Sequence, residues 1–358
     1  MPSLACVAAE VNEVNELTGS AFLIAFQHHA AQVGLFQPLV EHLNVKIKAV
    51  RYSPLQKAQT PIASILLGCP HTSAINHRLV PDRVAAQQWG MERFPDQSQI
   101  NVFVNRMTEE NLVQLGQAHH ELLLRHSRLR SAPIVVVDPD QSGLTVTGKK
   151  FELASKGYFP RRRGSRGYQL STALASAQGR EPEVVACYLG PGNTNEGVRL
   201  PDLLQATLGV FEQRGQALRF RLDAGYGHYA TLDALKQAEV GFVLKWKDNR
   251  TPRKFAGTLA LDWQQHTDKV RVAQGPTFAG FRSVICEVAG EFTMLVTNLD
   301  LAPRALSTTT TDGRPSRPSS RPASTSSAWR TCVAVASCPS RPSYGSCSLP
   351  TTCWSGPR

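Results

Sequence analysis

The sequence predicts an α/β domain interrupted by a β-rich insertion, with a helical region before it and a disordered tail after it. Three observations carry this. Apolar residues recur at helical spacing through residues 1–130. From residue 131, short runs rich in Val, Ile and Thr alternate with helical segments. Beyond residue 306 the composition collapses to Ser, Thr, Pro and Arg.

In the helical region, Ala21–Leu43 and, less clearly, Pro54–Leu79 carry apolar residues on one helical face. Asp82–Trp89 and Gln97–Met107 read as two short helices around a turn at Gly90–Pro95. Asp96 caps the second, with Gln99 placed to complete a capping box. Thr108 caps a longer helix, and Glu109 and Glu110 lie in its first turn, where acids offset the positive end of the helix dipole. Helix, turn and helix in this order suit DNA binding, with Asn101, Asn105 and Arg106 facing a groove; an ordinary helical bundle explains the pattern equally well.

The α/β region opens with an apolar strand, Ile134–Asp138, followed by strands at Leu144–Thr147, Tyr168–Ser171 and Val184–Leu189, the last pair separated by a turn at Gly179–Pro182. A helix over Leu200–Arg214, a strand over Leu218–Asp223, a helix over Tyr229–Ala238 and a strand over Gly241–Trp246 follow. Apolar runs at Val270–Val272, Phe281–Val288 and Phe292–Asn298 make the stretch 251–301 strand-rich. Residues 307–358 contain no Lys, Glu, Gln, Asn, His, Phe, Ile or Met and one acid, Asp312. Such a stretch buries too little apolar surface to offset its ordering entropy, which predicts disorder.

Lys and Arg outnumber Asp and Glu, 39 to 28, so a polyanionic partner suits the chain, although six arginines against one acid sit in the tail. No apolar run is long enough to span a bilayer, and no basic-then-apolar leader opens the sequence, so no membrane partner and a cytoplasmic location are expected. Cys6, Cys69, Cys187 and Cys286 are scattered without a C-x-x-C pair, and Cys332, Cys338, Cys347 and Cys353 lack zinc-ligand spacing, which fits a reducing compartment.

Three constellations carry chemistry. Asp138 and Asp223 each end an apolar strand, and two carboxylates on rigid strand ends suit a hard divalent cation working on phosphate, with Asp140 as an outer ligand. Taken singly, each acid reads as well as a turn or cap residue. Gly225-x-Gly227-x-x-Ala230, with Asp248 at the end of the next strand, matches a dinucleotide fingerprint and offers a nicotinamide-dependent enzyme as a competing reading. The basic turn Arg161, Arg162, Arg163 and Arg166, with Lys149, Lys150 and Lys156 nearby, suits contact with a phosphate backbone, or is a solvated loop.

From about Ile134 to Leu301 the chain resembles the DDE transposases of bacterial insertion sequences, in the group whose catalytic domain holds a β-strand insertion. The matching pieces are Asp138-Pro-Asp140 with Thr147-Gly148-Lys149, Gly157-Tyr158, Arg166-Gly167-Tyr168, Gly190-Pro-Gly192-Asn193, Arg221-Leu-Asp223-Ala-Gly225-Tyr226-Gly227 and Thr297-Asn298-Leu299. The resemblance implies a ribonuclease-H-like mixed sheet over residues 131–306, with the insertion at about 251–301 and a DNA-binding region at 1–130. It implies Asp138 and Asp223 as the first and second catalytic acids, holding two Mg²⁺ ions. It also implies a homodimer acting on terminal inverted repeats and target DNA.

One departure stands out. The family's third acid is a Glu on a helix just after the insertion, in a Tyr-x-x-Arg-x-x-x-Glu pattern, and no Glu follows Glu291. The abrupt change of composition reads as out-of-frame translation from near residue 306. A transposase without cleavage activity is therefore expected, or a truncated DNA-binding repressor of transposition.

Overall fold

The computed structural model describes residues 18–48, 51–148, 151–159, 162–211, 215–303 and 305. The tail 307–358, Lys149, Lys150 and Arg161 lie outside these. The N-terminal region holds α1 (Ala21–Gln32), α2 (Gln37–His42), α3 (Pro54–Leu66), α4 (Ile75–Arg78), α5 (Arg83–Gln88), α6 (Gln97–Asn105) and α7 (Glu109–His126). The single helix expected over Ala21–Leu43 is broken at Gly34, whose φ of +67° suits a residue without a side chain. Gly68, at φ +70°, ends α3 in the same way. The predicted capping box of Asp96 and Gln99 closes the start of α6, and Thr108 caps α7 as expected, with Asn111 completing a second box that the sequence reading did not include. Leu23, Ile75, Leu79, Trp89, Phe94 and Ile100 form the core of this region.

The α/β region follows in the order β1 (Ile134–Val146), β2 (Ser155–Lys156), β3 (Arg166–Ser176), β4 (Glu183–Pro191), α8 (Leu200–Phe211), β5 (Ala217–Leu222), α9 (Tyr229–Gln237) and β6 (Gly241–Lys245). β4 pairs with β3, β3 with β1, β1 with β5 and β5 with β6. The first three long strands are antiparallel, and β5 and β6 run parallel to β1, which is the ribonuclease-H arrangement. The structure is thus a mixed α/β fold with a large mixed sheet behind a helical region. β1 is one strand where two were expected, because it runs on through Pro139. Its ladder with β5 ends at Val137, so the residue lacking an N–H falls in a stretch paired on one side only.

Past β6, α10 (Arg250–Thr258) precedes β7 (Trp263–Thr267), β8 (Val270–Gln274), β9 (Arg282–Val288) and β10 (Glu291–Thr297). These four strands are antiparallel neighbours in order, and β10 joins β6, so the insertion prolongs the main sheet. α10 was not expected in a strand-rich stretch. Asp248 starts it by accepting from the backbone N–H groups of Arg250 and Thr251 at 3.0 and 3.3 Å.

One face of the sheet buries Val135, Val137, Phe220, Leu222, Phe242 and Leu244 under α7, α8 and α9. Each large side chain buried there contributes roughly 2 kcal/mol of hydrophobic stabilisation. The opposite face carries the polar end of β1 and, across β6 and the insertion, a smaller cluster of Val243, Val272, Val284, Cys286 and Leu295.

The motifs around residues 143–192 meet at Phe159, which is buried. A Cβ added to Gly157 would stand 1.6 Å from the Gly192 carbonyl oxygen, and one added to Gly167 would stand 2.1 Å from that of Leu144. Gly143, Gly167 and Gly192 all lie against the Phe159 ring. Backbone touches backbone here, so a methyl group cannot be absorbed by a side-chain shift. Gly157→Ala should therefore lower stability by about 3 kcal/mol in urea unfolding. Gly116→Ala, in α7 with open space around it, should raise stability by about 0.5–1 kcal/mol.

α7 also packs on the α/β region, and His119 is hydrogen-bonded to the backbone of Val184. Burial lowers the His119 pKa, and the neighbouring charge of His120 adds to the effect. The folded state therefore resists a proton that the unfolded chain accepts, so stability is level above the unfolded pKa of about 6.5 and falls below it. Melting temperatures at pH 7.5 and 5.5 should differ less in His119→Gln than in the parent protein.

Candidate functional site

The site forms where β1 and β5 run side by side. Their register sets Val136 against Arg219 and Val137 against Phe220, and one more step brings Asp138 beside Arg221. Leu218, Phe220 and Leu222 enter the core, so the alternation of a strand turns Arg219 and Arg221 to the other face, where Asp138 also lies. Arg221 Nε donates to Asp138 Oδ1 at 2.7 Å and Nη2 to Oδ2 at 2.5 Å. Both carboxylate oxygens are thus held by one planar guanidinium, in the geometry that makes such pairs strong.

Asp223 follows β5 by one residue and is exposed. Its Oδ1 accepts from the Gly225 N–H at 2.9 Å, capping the short turn Ala224–Tyr226. Glu196, from the turn between β4 and α8, reaches the same place: a Cβ on Gly225 would stand 3.0 Å from Asp223 Oδ1 and 3.1 Å from Glu196 Oε1. Glycine at 225 thus leaves room for two carboxylates.

Beneath them lies Tyr226, only 1% exposed, with a ring in the main core and a hydroxyl that has no hydrogen-bond partner. Burial raises its pKa far above the ordinary tyrosine range, and the negative charges of Asp140, Asp223 and Glu196 raise it further. A buried hydroxyl left without a partner costs about 1–3 kcal/mol. The negative charges of three carboxylates, from three separate segments, thus act on one enclosed hydroxyl.

Of the residues singled out from the sequence, Asp223 is brought to Glu196 and to the surroundings of Tyr226, which Asp140 shares, while Asp138 is brought to Arg221. Gly227 is required by the backbone just past β6, since a Cβ there would stand 2.4 Å from the Lys247 nitrogen. Asp248 caps α10, and the backbone hydrogen bond from Arg250, followed by the side chain of Thr251, holds its pKa below the usual carboxylate range. Those contacts account for both residues without a nucleotide.

In the basic turn, Arg162 Nη1 donates to Thr145 Oγ1 at 3.1 Å and Arg166 Nη2 to the Ala154 carbonyl at 2.6 Å. Arg163 and Lys156 are exposed beside them, as is Tyr158. Asn101, Asn105 and Arg106 are exposed on and just after α6. Among the described residues, no helix is long and apolar enough to cross a membrane, and Cys69, Cys187 and Cys286 form no disulfide.

Arg221 and Tyr226 stand in one of the matching pieces but were given no role from the sequence, and Glu196 was not singled out. Arg221 stands two residues before Asp223, on the same strand face, and that period-two spacing was a readable signal. Nothing in the sequence ties Glu196 to Asp223, because an irregular turn sets its position.

No family model matches the chain, and no curated protein matches it in sequence. Solved structures with some likeness include a Drosophila P element transposase strand transfer complex, at 10% identity and a TM-score of 0.27 over 61% of this chain and 42% of that one. A Mos1 transposase paired-end complex with left transposon end gives 15% identity and a TM-score of 0.20 over 56% of this chain and 60% of that one. A pre-cleavage Mos1 transpososome gives 14% and 0.20 over 63% of this chain and 78% of that one. This chain thus spans less than two thirds of the first two. Likenesses this remote leave the fold to stand on its own strand order.

Replacing Asp138 with Ala removes both of these hydrogen bonds from a partly buried guanidinium and should cost about 2 kcal/mol of stability. Arg221→Met in the same background should recover part of that loss, with a coupling of about 1–2 kcal/mol in a double-mutant cycle read by urea unfolding.

Proposed function

We propose that this chain is a DDE-type transposase of an insertion sequence by descent, which binds DNA and is deficient in strand cleavage. The observation that carries the reading is the placement of Asp223 at the carboxyl end of β5, beside the acid-bearing β1, on a ribonuclease-H-like sheet prolonged by a β insertion. Open α/β sheets take their ligands at the carboxyl ends of such strands. The partners are terminal inverted repeats and target DNA, bound by a homodimer. Arg162, Arg163 and Arg166, with Lys149, Lys150 and Arg161, contact the phosphate backbone through charge.

In an intact enzyme of this type Asp138 and Asp223 would be the catalytic acids and would hold Mg²⁺, which would supply charge stabilisation for phosphodiester chemistry. The residues present do not fit two such ions. Arg221 engages both oxygens of Asp138, and among the described residues no three Asp, Glu, His or Cys side chains form a group able to hold an ion directly. No glutamate follows Glu291 to supply the third acid. The same ion pair favours the second reading, a repressor that occupies element ends without cutting them.

A gel shift with element-end DNA and a scrambled competitor tests both. Sequence-specific binding without nicking in Mg²⁺ or Mn²⁺ is the expected result; robust cleavage abolished by Asp223→Ala would overturn the proposed deficiency. Replacing Arg162, Arg163 and Arg166 together with Ala should weaken binding to all sequences and lower the slope of log affinity against log salt by about 2 to 3.

A further inference from the structure

Tyr158 combines a fixed backbone with a ring left in solvent. Its side chain, at 78%, is the most exposed of the large hydrophobic residues among those described. The chain on either side of it is held. Gly157 has no room for a Cβ beside the Gly192 carbonyl, and Phe159 is buried. The Tyr158 carbonyl accepts from Gln169 Nε2 at 3.3 Å, and Gln169 is itself buried. A ring carried on so fixed a backbone gives up little conformational freedom when a flat partner settles on it.

The charge around the ring says which kind of partner fits. From Lys149 to Arg166 the sequence holds seven Lys and Arg residues against one acid, Glu152. Lys156, two residues before Tyr158, stands opposite Arg166 where β2 pairs with β3. Both are exposed, as are Arg162 and Arg163. A polyanion that also offers aromatic faces answers both features, and nucleic acid is such a polymer. Inside a duplex each base face is covered by its neighbours. A ring approaching from outside can therefore stack only where a base is unpaired or a helix ends.

We infer that the Tyr158 ring stacks on an unpaired base beside duplex DNA while the surrounding Lys and Arg side chains hold the phosphates. The inference rests on the reading of this turn as a DNA contact and deepens it. Phosphate contacts treat all DNA of one charge density alike. The ring adds a preference for the form of the DNA, a duplex with a single-stranded extension over a blunt one. It adds none for sequence, since every base has a face to stack on.

The test sets the full chain against a blunt duplex and against the same duplex with a short single-stranded extension carrying 2-aminopurine. The extended duplex should bind about tenfold more tightly, and the fluorescence of its 2-aminopurine should fall on binding. Tyr158→Ala should lose both the preference and the quenching, while its affinity for the blunt duplex stays within about twofold of the parent's. The substitution trims an exposed side chain, so the melting temperature should be unchanged. Tyr158→Phe keeps the ring and should keep both effects. Arg163→Ala should weaken binding to the two DNAs by the same factor and leave the preference intact.

Equal affinity of the parent for the two DNAs overturns the inference, as does quenching that persists in Tyr158→Ala. In both cases the turn still binds DNA, so the underlying reading stands. Failure of the parent to bind either DNA overturns that reading and the inference together. Vesicles of phosphatidylglycerol form the last arm. Binding to them that Tyr158→Ala weakens, with no preference for the extended duplex, makes the turn a lipid-facing surface and overturns the inference.

Discussion

The parallel pairing of β1 with β5 is the contact on which the site depends. Its register spans only Ile134–Val137 against Ala217–Phe220, and parallel ladders are slightly weaker per residue than antiparallel ones. The forked ion pair between Arg221 and Asp138 closes the carboxyl end of this ladder, just where backbone pairing stops. Beyond that clamp the two strands are released to different tasks. β1 continues along β3 and carries Asp140 outward, and β5 ends in the turn that Asp223 caps. A guanidinium bound at two points fixes distance and tilt together. It therefore sets where the following residues of both strands emerge.

The glycine-rich pieces that gave the sequence its family resemblance serve packing at least as much as chemistry. Gly157, Gly167 and Gly192 bring three backbone segments into contact around Phe159. Gln169, buried at that point, ties two of them by donating to the carbonyls of Tyr158 and Gly192. Gly227 does the same work at the end of β6. Gly225 is the exception in this set, because the space it leaves is taken by carboxylates.

Much of this architecture was legible in the sequence wherever the signal was local. The capping box at Asp96 is written in residues three apart, and strands such as β5 and β6 show as apolar runs ending at polar turns. Local signals failed where a distant partner decides. Pro139 reads as a strand break, yet antiparallel pairing with β3 carries β1 through it. α10 follows from the cap that Asp248 provides, which the strand-rich character of the residues after it concealed. In the site, Asp223 was readable as the acid just after a strand, whereas Asp138, read as a strand end, lies inside β1. Which of them faces a guanidinium and which shares the surroundings of Tyr226 depends on cross-strand register, and no spacing along one chain encodes that.

The junction of β6 with β10 has a mechanical consequence. Thr297, Val296 and Leu295 pair with Val243, Leu244 and Lys245, and the Trp246 N–H reaches the Met294 carbonyl. The insertion is therefore wired into the sheet by backbone hydrogen bonds, and is not hung from it by a linker. A force applied to the outer strands by a bound partner would pass through β10 to β6 and then to β5, and so to the turn that positions Asp223. Load at the far edge of the sheet would thus reach the turn after β5 through backbone pairing alone.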